Sequence, residues 1–539
     1  MASSKTKHAP PAAAANDPGP LPTGIEVMKK SRSNEFFIAI VAPAGAGAGT
    51  TADVIKDFLA RAKIDEQLIE VSIIKASQAI RSWAEDCGLD VPNAAPSRKT
   101  LADMIIMQDR GDDMRRETCD NAAVARATIK MIRERRAELS KRVEGVIDGK
   151  PRAYIIDSLR HPDEVHLLRS VYQDAFLLVG VVADPDARDR RLRQLFDIKV
   201  RTKDETSKTI ADFILRDADA AVSYGQHVTA AFHESDFFVD NSKDAPQDDL
   251  KNSEMNEPIR RFVDLITGNR ILRPKIEETA MHHAHSAKLR SACMSRQVGA
   301  ALVDAGGNIV ATGTNEVPMA GGGVYGEAAS ENSIHDHRCV FRESPFCSSN
   351  KEQNEIIDEL VDAFPALLLD QDRAIVVQKI RETKLGGLIE FSRAVHAEMD
   401  ALLTAARIGV SAIGTRLFAT TFPCHYCARH IVSAGVDELQ YIEPYPKSRA
   451  LKLHNDSITT SDKDWVPPSR APSGMSKVLF RPFVGVAPRM YQAAFLKDRS
   501  YKDNTTGEFK MSPPRWGAST DLSSVHYTDL EAKLGSLKP

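Results

Sequence analysis

His396-Ala397-Glu398, followed downstream by Pro423-Cys424-His425-Tyr426-Cys427, is the stretch around which the chain is organised. One imidazole and two thiolates supply three zinc ligands, and Glu398 stands two residues from the first, free to move protons. Catalytic zinc sites keep three protein ligands and leave the fourth position to water, whereas structural sites close all four. Bound zinc brings that water to a pKa of about 7. C-x-x-C alone also serves structural zinc and thiol redox centres. Here, however, the elements fall in the order a single site needs. Residues 394–408 have helical periodicity, with Val395, Met399, Leu402 and Leu403 as inward positions. Arg416 to Thr421 reads as a strand, and a second helix opens after Cys427. Two helix N-termini then aim His396 and the cysteines at one metal, and the helix dipole favours thiolate.

Length and composition set the frame. At 539 residues the chain exceeds what one core serves, so at least two domains are expected. A net charge of −3 gives no whole-chain electrostatic case for nucleic-acid binding. No apolar run reaches the ~20 residues of a membrane helix. The first residues lack the apolar core of a signal peptide. Seven cysteines, two of them claimed by zinc, argue against a disulfide scaffold. The expected location is the cytoplasm, with no membrane contact.

Residues 1–33 are rich in Ala, Pro, Ser and Lys and read as a disordered tail. Order begins with Phe36-Phe37-Ile38-Ala39-Ile40-Val41-Ala42, an apolar run suited to a buried central strand. A glycine loop follows (Gly45, Gly47, Gly49, then Thr50 and Thr51), and a helical pattern from Ala52 to Ala62. Strand, glycine loop and helix start in that order form a phosphate cradle, because backbone N–H groups converge there. The loop resembles the P-loop of nucleotide kinases, with two departures: Ala44 replaces the first glycine and Thr50 the lysine. The lysine's absence sets phosphate binding above phosphoryl transfer. Asp157 ends a further strand where a Walker-B acid would stand. The run Arg188, Arg190, Arg191 and Arg193 reads either as an arginine-bearing lid or as a solvated helix face. Residues 34–241 are therefore assigned to a P-loop kinase-like three-layer α/β domain, a nucleotide-binding or scaffold module. Residues 242–257 are assigned to a linker.

The second domain, residues 258–497, opens with a helix carrying His282, His283 and His285, which do not share one face. Two β-runs joined by Gly306-Gly307-Asn308 make a hairpin that ends at Asn315. Residues 317–388 form an insertion holding His335, His337, Cys339 and Cys347. These four could bind a second, structural zinc or belong to a polar loop. Past the cysteines, Tyr445 and Lys447 follow a strand, residues 478–486 read as a last strand, and 489–496 as a short helix. Residues 498–539 read as a polar tail wrapping the surface.

The H-x-E…P-C-x-x-C order resembles the zinc-dependent nucleobase deaminases, in which the Glu is not a ligand. Residues 290–315 resemble the opening of deoxycytidylate deaminases. That resemblance implies a cytidine deaminase-like α/β/α fold and a substrate sugar bonded by Asn315. It also puts Arg290 or Arg296 near phosphate. Tyr445 and Lys447 read either as a ring packed beside the substrate and a phosphate contact, or as ordinary loop residues. The resemblance implies hydrolysis of the cytosine 4-amino group, with Glu398 carrying the proton. From about residue 35 to 496 the chain resembles the bacterial antiphage deoxycytidine-nucleotide deaminases, which join a P-loop-like module to a deaminase. Membership would imply conversion of dCTP and dCMP to uracil nucleotides, a second nucleotide at the P-loop-like module, a homo-oligomer and an inhibitory small RNA. A housekeeping dCMP deaminase, a polynucleotide cytidine deaminase and a non-enzymatic nucleotide sensor remain as alternatives. The polynucleotide reading would want stacking aromatics, and aromatic residues make up only 6% of the chain.

Overall fold

The computed structural model describes residues 33–510 except 65, 94–99, 143–146, 197–204, 244–254, 327–335, 369–370, 446, 473 and 498–499, together with 528, 531–532 and 534–536. The expected N-terminal tail and most of the expected linker lie outside the described residues. Two six-stranded sheets organise the rest.

The first sheet is built from β1 (Glu35–Val41), β2 (Glu70–Lys75), β3 (Arg152–Leu159), β4 (Phe176–Val182) and β5 (Phe237–Asp240). These lie parallel in the order β2-β3-β1-β4-β5. Every residue of β1 is buried, which explains its unbroken apolar sequence: both faces of a parallel sheet are covered. Ile38 and Ile40 face one core and Phe37, Ala39 and Val41 the other. Helix α1 (Ala48–Leu59) covers the first face. On the second lie α2 (Ala123–Ser140) and α3 (Pro162–Tyr172). Further along come α4 (Pro185–Phe196), α5 (Glu205–Ala218) and α6 (Val228–His233).

Helix α7 (Asn256–Thr267) departs from the expected boundary. Its Ile259, Phe262, Val263 and Ile266 are buried in the core under the first sheet, with Met255 beside them. The pattern of apolar residues is that of an amphipathic helix, but only the tertiary partner says which sheet it covers. Helix α8 (Ile276–Lys288) then lies between the sheets: Ala280, Met281 and Ala284 share a core with Val182 and Phe238 of the first sheet and Ala301 and Phe418 of the second.

The second sheet contains β6 (Gly299–Val303), β7 (Ile309–Thr314), β8 (Arg416–Thr421), β9 (Glu438–Glu443), β10 (Ile458–Thr459) and β11 (Val478–Pro482), ordered β10-β11-β9-β8-β6-β7. The β6–β7 hairpin is antiparallel, as its Gly-Gly-Asn turn predicts, and β8, β9 and β11 run parallel. Within the insertion, α9 (Ser348–Ala363) is ordered and buries Ile357 and Val361. Helices α10 (Ala397–Arg407) and α11 (His425–Ser433) follow the two halves of the zinc motif.

The expected last strand is divided. Residues 478–482 stay in the second sheet, whereas β12 (Gly485–Val486) pairs antiparallel with β5 of the first. Helix α12 (Pro488–Phe495) then buries Met490 under the first sheet. The C-terminal stretch also differs from a surface tail. Glu531 is fully buried and meets Arg136 Nη1 at 2.6 Å and the Tyr172 hydroxyl at 2.7 Å.

Candidate active site

Both zinc half-motifs sit where a chain turns into a helix. His396 is the N-cap residue of α10 in extended conformation, and Cys424 is the N-cap of α11, its sulfur accepting the Cys427 N–H at 3.4 Å. Helix α10 lies close on β7 because Gly313 has no side chain: a Cβ there would run into the Ala397 carbonyl and the Ala401 amide. The Asp400 carboxylate accepts the Thr314 N–H at 3.0 Å and fixes the helix along the strand. Backbone pairing of Glu316 with Val395 brings the end of the hairpin to the residue before His396. The inward face of α10 is thus Ala397, Ala401, Leu402 and Ala405, while Leu403 turns out to solvent at 44% exposure. Such a close approach admits alanine where the periodicity alone suggested larger residues.

The consequence is convergence. His396 Nδ1 lies 3.3 Å from Cys424 Sγ and 3.4 Å from Cys427 Sγ. A tetrahedral zinc with ligands at ~2.0 and ~2.3 Å would set nitrogen and sulfur ~3.5 Å apart. The three ligand atoms lie within 4.8 Å of one another, and among the described residues they are the group that could hold a metal ion. The donor set fits zinc.

Electrostatics prepare the same point. Hydrogen bonds from Cys427 and His396 pull the Cys424 thiol down to about 4. The bond to Cys424 lifts His396 to about 9, against the opposing effect of burial. Cys427 is held well above the usual thiol value by its bond to Cys424 and by burial; a bound cation would reverse that and take both sulfurs as thiolates. Burial pushes Glu398 up to about 7, reinforced by the negative charge on Cys424 and offset by His396. A carboxyl poised near neutrality is what a general acid–base needs.

A profile described as "Cytidine and deoxycytidylate deaminase zinc-binding region" matches residues 274–443. Over these residues the chain is similar to the cytidine and deoxycytidylate deaminases. The deoxycytidylate deaminase of Enterobacteria phage T2 is 28% identical over 176 residues, covering 32% of this chain and 81% of that protein. A probable deoxycytidylate deaminase of Drosophila melanogaster is 38% identical over 77 residues, 14% of this chain and 37% of that protein. Among solved structures, a dCMP deaminase of cyanophage S-TIM5 in complex with dCMP and dUMP aligns with 34% of this chain and 93% of its own, at 22% identity and a TM-score of 0.21.

Within residues 274–443, His396, Cys424 and Glu398 lie on the wall of a cavity of about 530 Å³, in the range of a small-molecule site, and Cys427 is buried behind that wall. Arg296, Asn315, Tyr445 and Lys447 share that wall. The Arg296 guanidinium lies over the Tyr445 ring, 5.8 Å from its centroid. Asn315 accepts the Val298 N–H at 2.6 Å and donates to the Arg296 carbonyl at 2.7 Å, so its amide shapes the loop that carries Arg296. Arg290 is exposed and is not among the lining residues. His335 lies outside the described residues. Cys339 and Cys347 line the cavity, and neither they nor His337 join a metal-holding group among the described residues. The walls also include Gln353, Arg393 and Asp219, none of them singled out from sequence. Arg393 has a local signal in its closeness to His396. Gln353 and Asp219 have none, because they arrive from the insertion and from the first unit.

In the glycine loop Gly45 and Gly47 have φ of 79° and 91°, and Gly47 caps α1. Asp157 at the end of β3 approaches Gly49. The loop is also engaged by the chain's own side chains. Asp217 accepts the Ala44 N–H at 2.7 Å and is gripped by Arg160. Asn241 donates to the Ala46 carbonyl at 2.8 Å, and Arg188 Nε to the Ala44 carbonyl at 2.9 Å. Thr50 is exposed, whereas Thr51 is fully buried, its hydroxyl donating to the Gly47 carbonyl at 3.0 Å.

Proposed function

We propose that the protein is a zinc-dependent hydrolytic deaminase of deoxycytidine nucleotides, converting dCTP, dCMP or both to the uracil nucleotides. The observation that carries this is the convergence of His396, Cys424 and Cys427, with His396, Cys424 and buried Glu398 on the wall of one cavity. His396, Cys424 and Cys427 would hold the zinc ion. When bound, zinc supplies Lewis acidity and an activated water at neutral pH. Glu398 accepts a proton from the water that adds at C4 of cytosine and delivers it to N3. It then carries the second proton to the 4-amino group, which leaves as ammonia while C4 becomes the uracil carbonyl. The cavity wall keeps bulk water from the reacting ring, and Arg296 and Lys447 give the phosphate end a cationic side. The similarity to deoxycytidylate deaminases supports the choice of a deoxynucleotide over a polynucleotide.

The wider reading follows the antiphage resemblance: depletion of deoxycytidine nucleotides in an infected bacterial cytoplasm, by a homo-oligomer restrained by a small RNA. The support for a P-loop kinase-like module ahead of the deaminase is the parallel order β2-β3-β1-β4-β5 and the glycine loop between β1 and α1. A second nucleotide at that loop would have to compete with Asp217 for the Ala44 N–H. Incubating the zinc-loaded protein with dCTP, dCMP, CTP and single-stranded DNA and measuring ammonia tests the assignment. Release from the free deoxynucleotides is expected. Release from DNA alone would overturn it.

A further inference from the structure

The wall of the catalytic cavity is not made by the deaminase region alone. Asp219, just past the end of α5 in the first unit, lies on it. The first unit approaches beside Tyr445 and Lys447, since α6 packs against β9, the strand that leads to them. Deamination, the reading on which this inference rests, puts C4 of the base at the metal ligands. The 5′-phosphates then sit at the far end of the nucleotide from the metal ligands, within a cavity whose wall includes Arg296, Lys447 and Asp219. Two of those side chains attract phosphate, and the third repels it.

Asp219 is also held in place. Its carboxylate meets His227 Nδ1 at 2.6 Å, and His227 is tied through its N–H to the Arg160 carbonyl at 2.9 Å. The Arg160 side chain grips Asp217, which accepts the Ala44 N–H of the glycine loop. Asp217 is buried and Asp219 exposed, two residues apart on one short segment. The first anchors the segment to the glycine loop; the second presents charge to the cavity.

We propose that Asp219 is a specificity-determining residue that counts phosphates, disfavouring dCTP relative to dCMP, and that Asp217 positions it. A triphosphate brings roughly two more negative charges than a monophosphate. At ~7 Å in a largely solvated setting, their repulsion by one carboxylate amounts to a factor of about five.

The test compares full-length, zinc-loaded wild type with Asp219→Asn, measuring kcat and KM for dCMP and dCTP in magnesium-free buffer at low salt, with deoxycytidine as the phosphate-free reference. The ratio of kcat/KM for dCTP to that for dCMP is expected to rise about fivefold, through KM. At about 0.5 M salt, where the screening length is a few ångströms, the wild-type repulsion is screened and the two ratios should converge. Asp219→Glu, which keeps the charge, should keep the wild-type ratio. Asp217→Asn should shift the ratio in the same direction by less. An unmoved or lowered ratio in Asp219→Asn overturns the proposal. A wild-type ratio in Asp217→Asn removes the positioning role. A wild-type protein that turns over neither nucleotide overturns the deaminase reading itself, a different result from either.

Discussion

The two units each bury a cluster of ionisable groups, and the clusters differ in what they leave unmet. Under the first sheet, Arg136 is gripped by Glu35 at 2.9 Å and by Glu531 at 2.6 Å, and the Tyr172 hydroxyl donates to Glu531. Cations and anions there answer one another inside the chain, so the cluster holds the fold and offers nothing to a ligand. Beside the second sheet, His396, Cys424, Cys427 and Glu398 all bring electron pairs to one place. The two sulfurs and the Glu398 carboxylate repel one another as anions and are gathered at a cost in stability unless a cation joins them. Burial of charge alone therefore does not mark a site. What marks it is a set of like donors around a common point, next to a cavity.

The largest effects break the second cluster. Cys424→Ala or Cys427→Ala is expected to release the metal, read by elemental analysis of purified protein, and to abolish ammonia release. Full zinc occupancy in either variant would show that the sulfurs are not the ligands. Glu398→Gln separates holding the metal from moving protons. It should keep zinc and lose turnover by about 10²–10⁴-fold, the usual worth of a positioned acid–base. Deamination at the parental rate in that variant would dismiss its role.

How much of this was open to inspection in the sequence follows from the same contrast. The zinc ligands and Glu398 are legible because each half-motif is local: a residue at a helix start, followed within one turn by its companion. The all-buried β1 and the Gly-Gly-Asn hairpin were legible for similar reasons. The partner of Arg136 was not, because Glu531 lies 395 residues away in a stretch without strong patterning. Nor was the face of α10, set by the missing side chain of Gly313, or the cavity walls from Gln353 and Asp219. The strand read as one run over 478–486 serves two sheets, a division made where the chain turns at Phe483, in the core between them.

Breaking the first cluster should cost folding and not chemistry. Glu531→Ala removes one of the carboxylates that grip buried Arg136, and the loss of one partner from a buried ionic group is expected to lower unfolding stability by about 3 kcal/mol. Zinc content and turnover per folded molecule should hold. Loss of zinc at a temperature where the first sheet is still folded would show that the two clusters are not separate.

The smallest change addresses the glycine loop, which shares its strand–loop–helix layout with the zinc motif but meets its needs as the first cluster does. In a nucleotide-binding P-loop the hydroxyl at the Thr51 position faces the bound metal ion and phosphates. Here it turns inward, to the Gly47 carbonyl and the Met255 sulfur at 3.5 Å. Thr51→Val keeps the shape and removes those bonds, so a loss of about 1 kcal/mol is expected in denaturant unfolding. Deamination of dCMP should be unaffected, because the hydroxyl contributes to packing under the first sheet and to nothing at the cavity. A variant as stable as its parent but catalytically slow would place the glycine loop with the second cluster. Its contacts with Asp217 and Asn241 would then be a resting arrangement that nucleotide displaces.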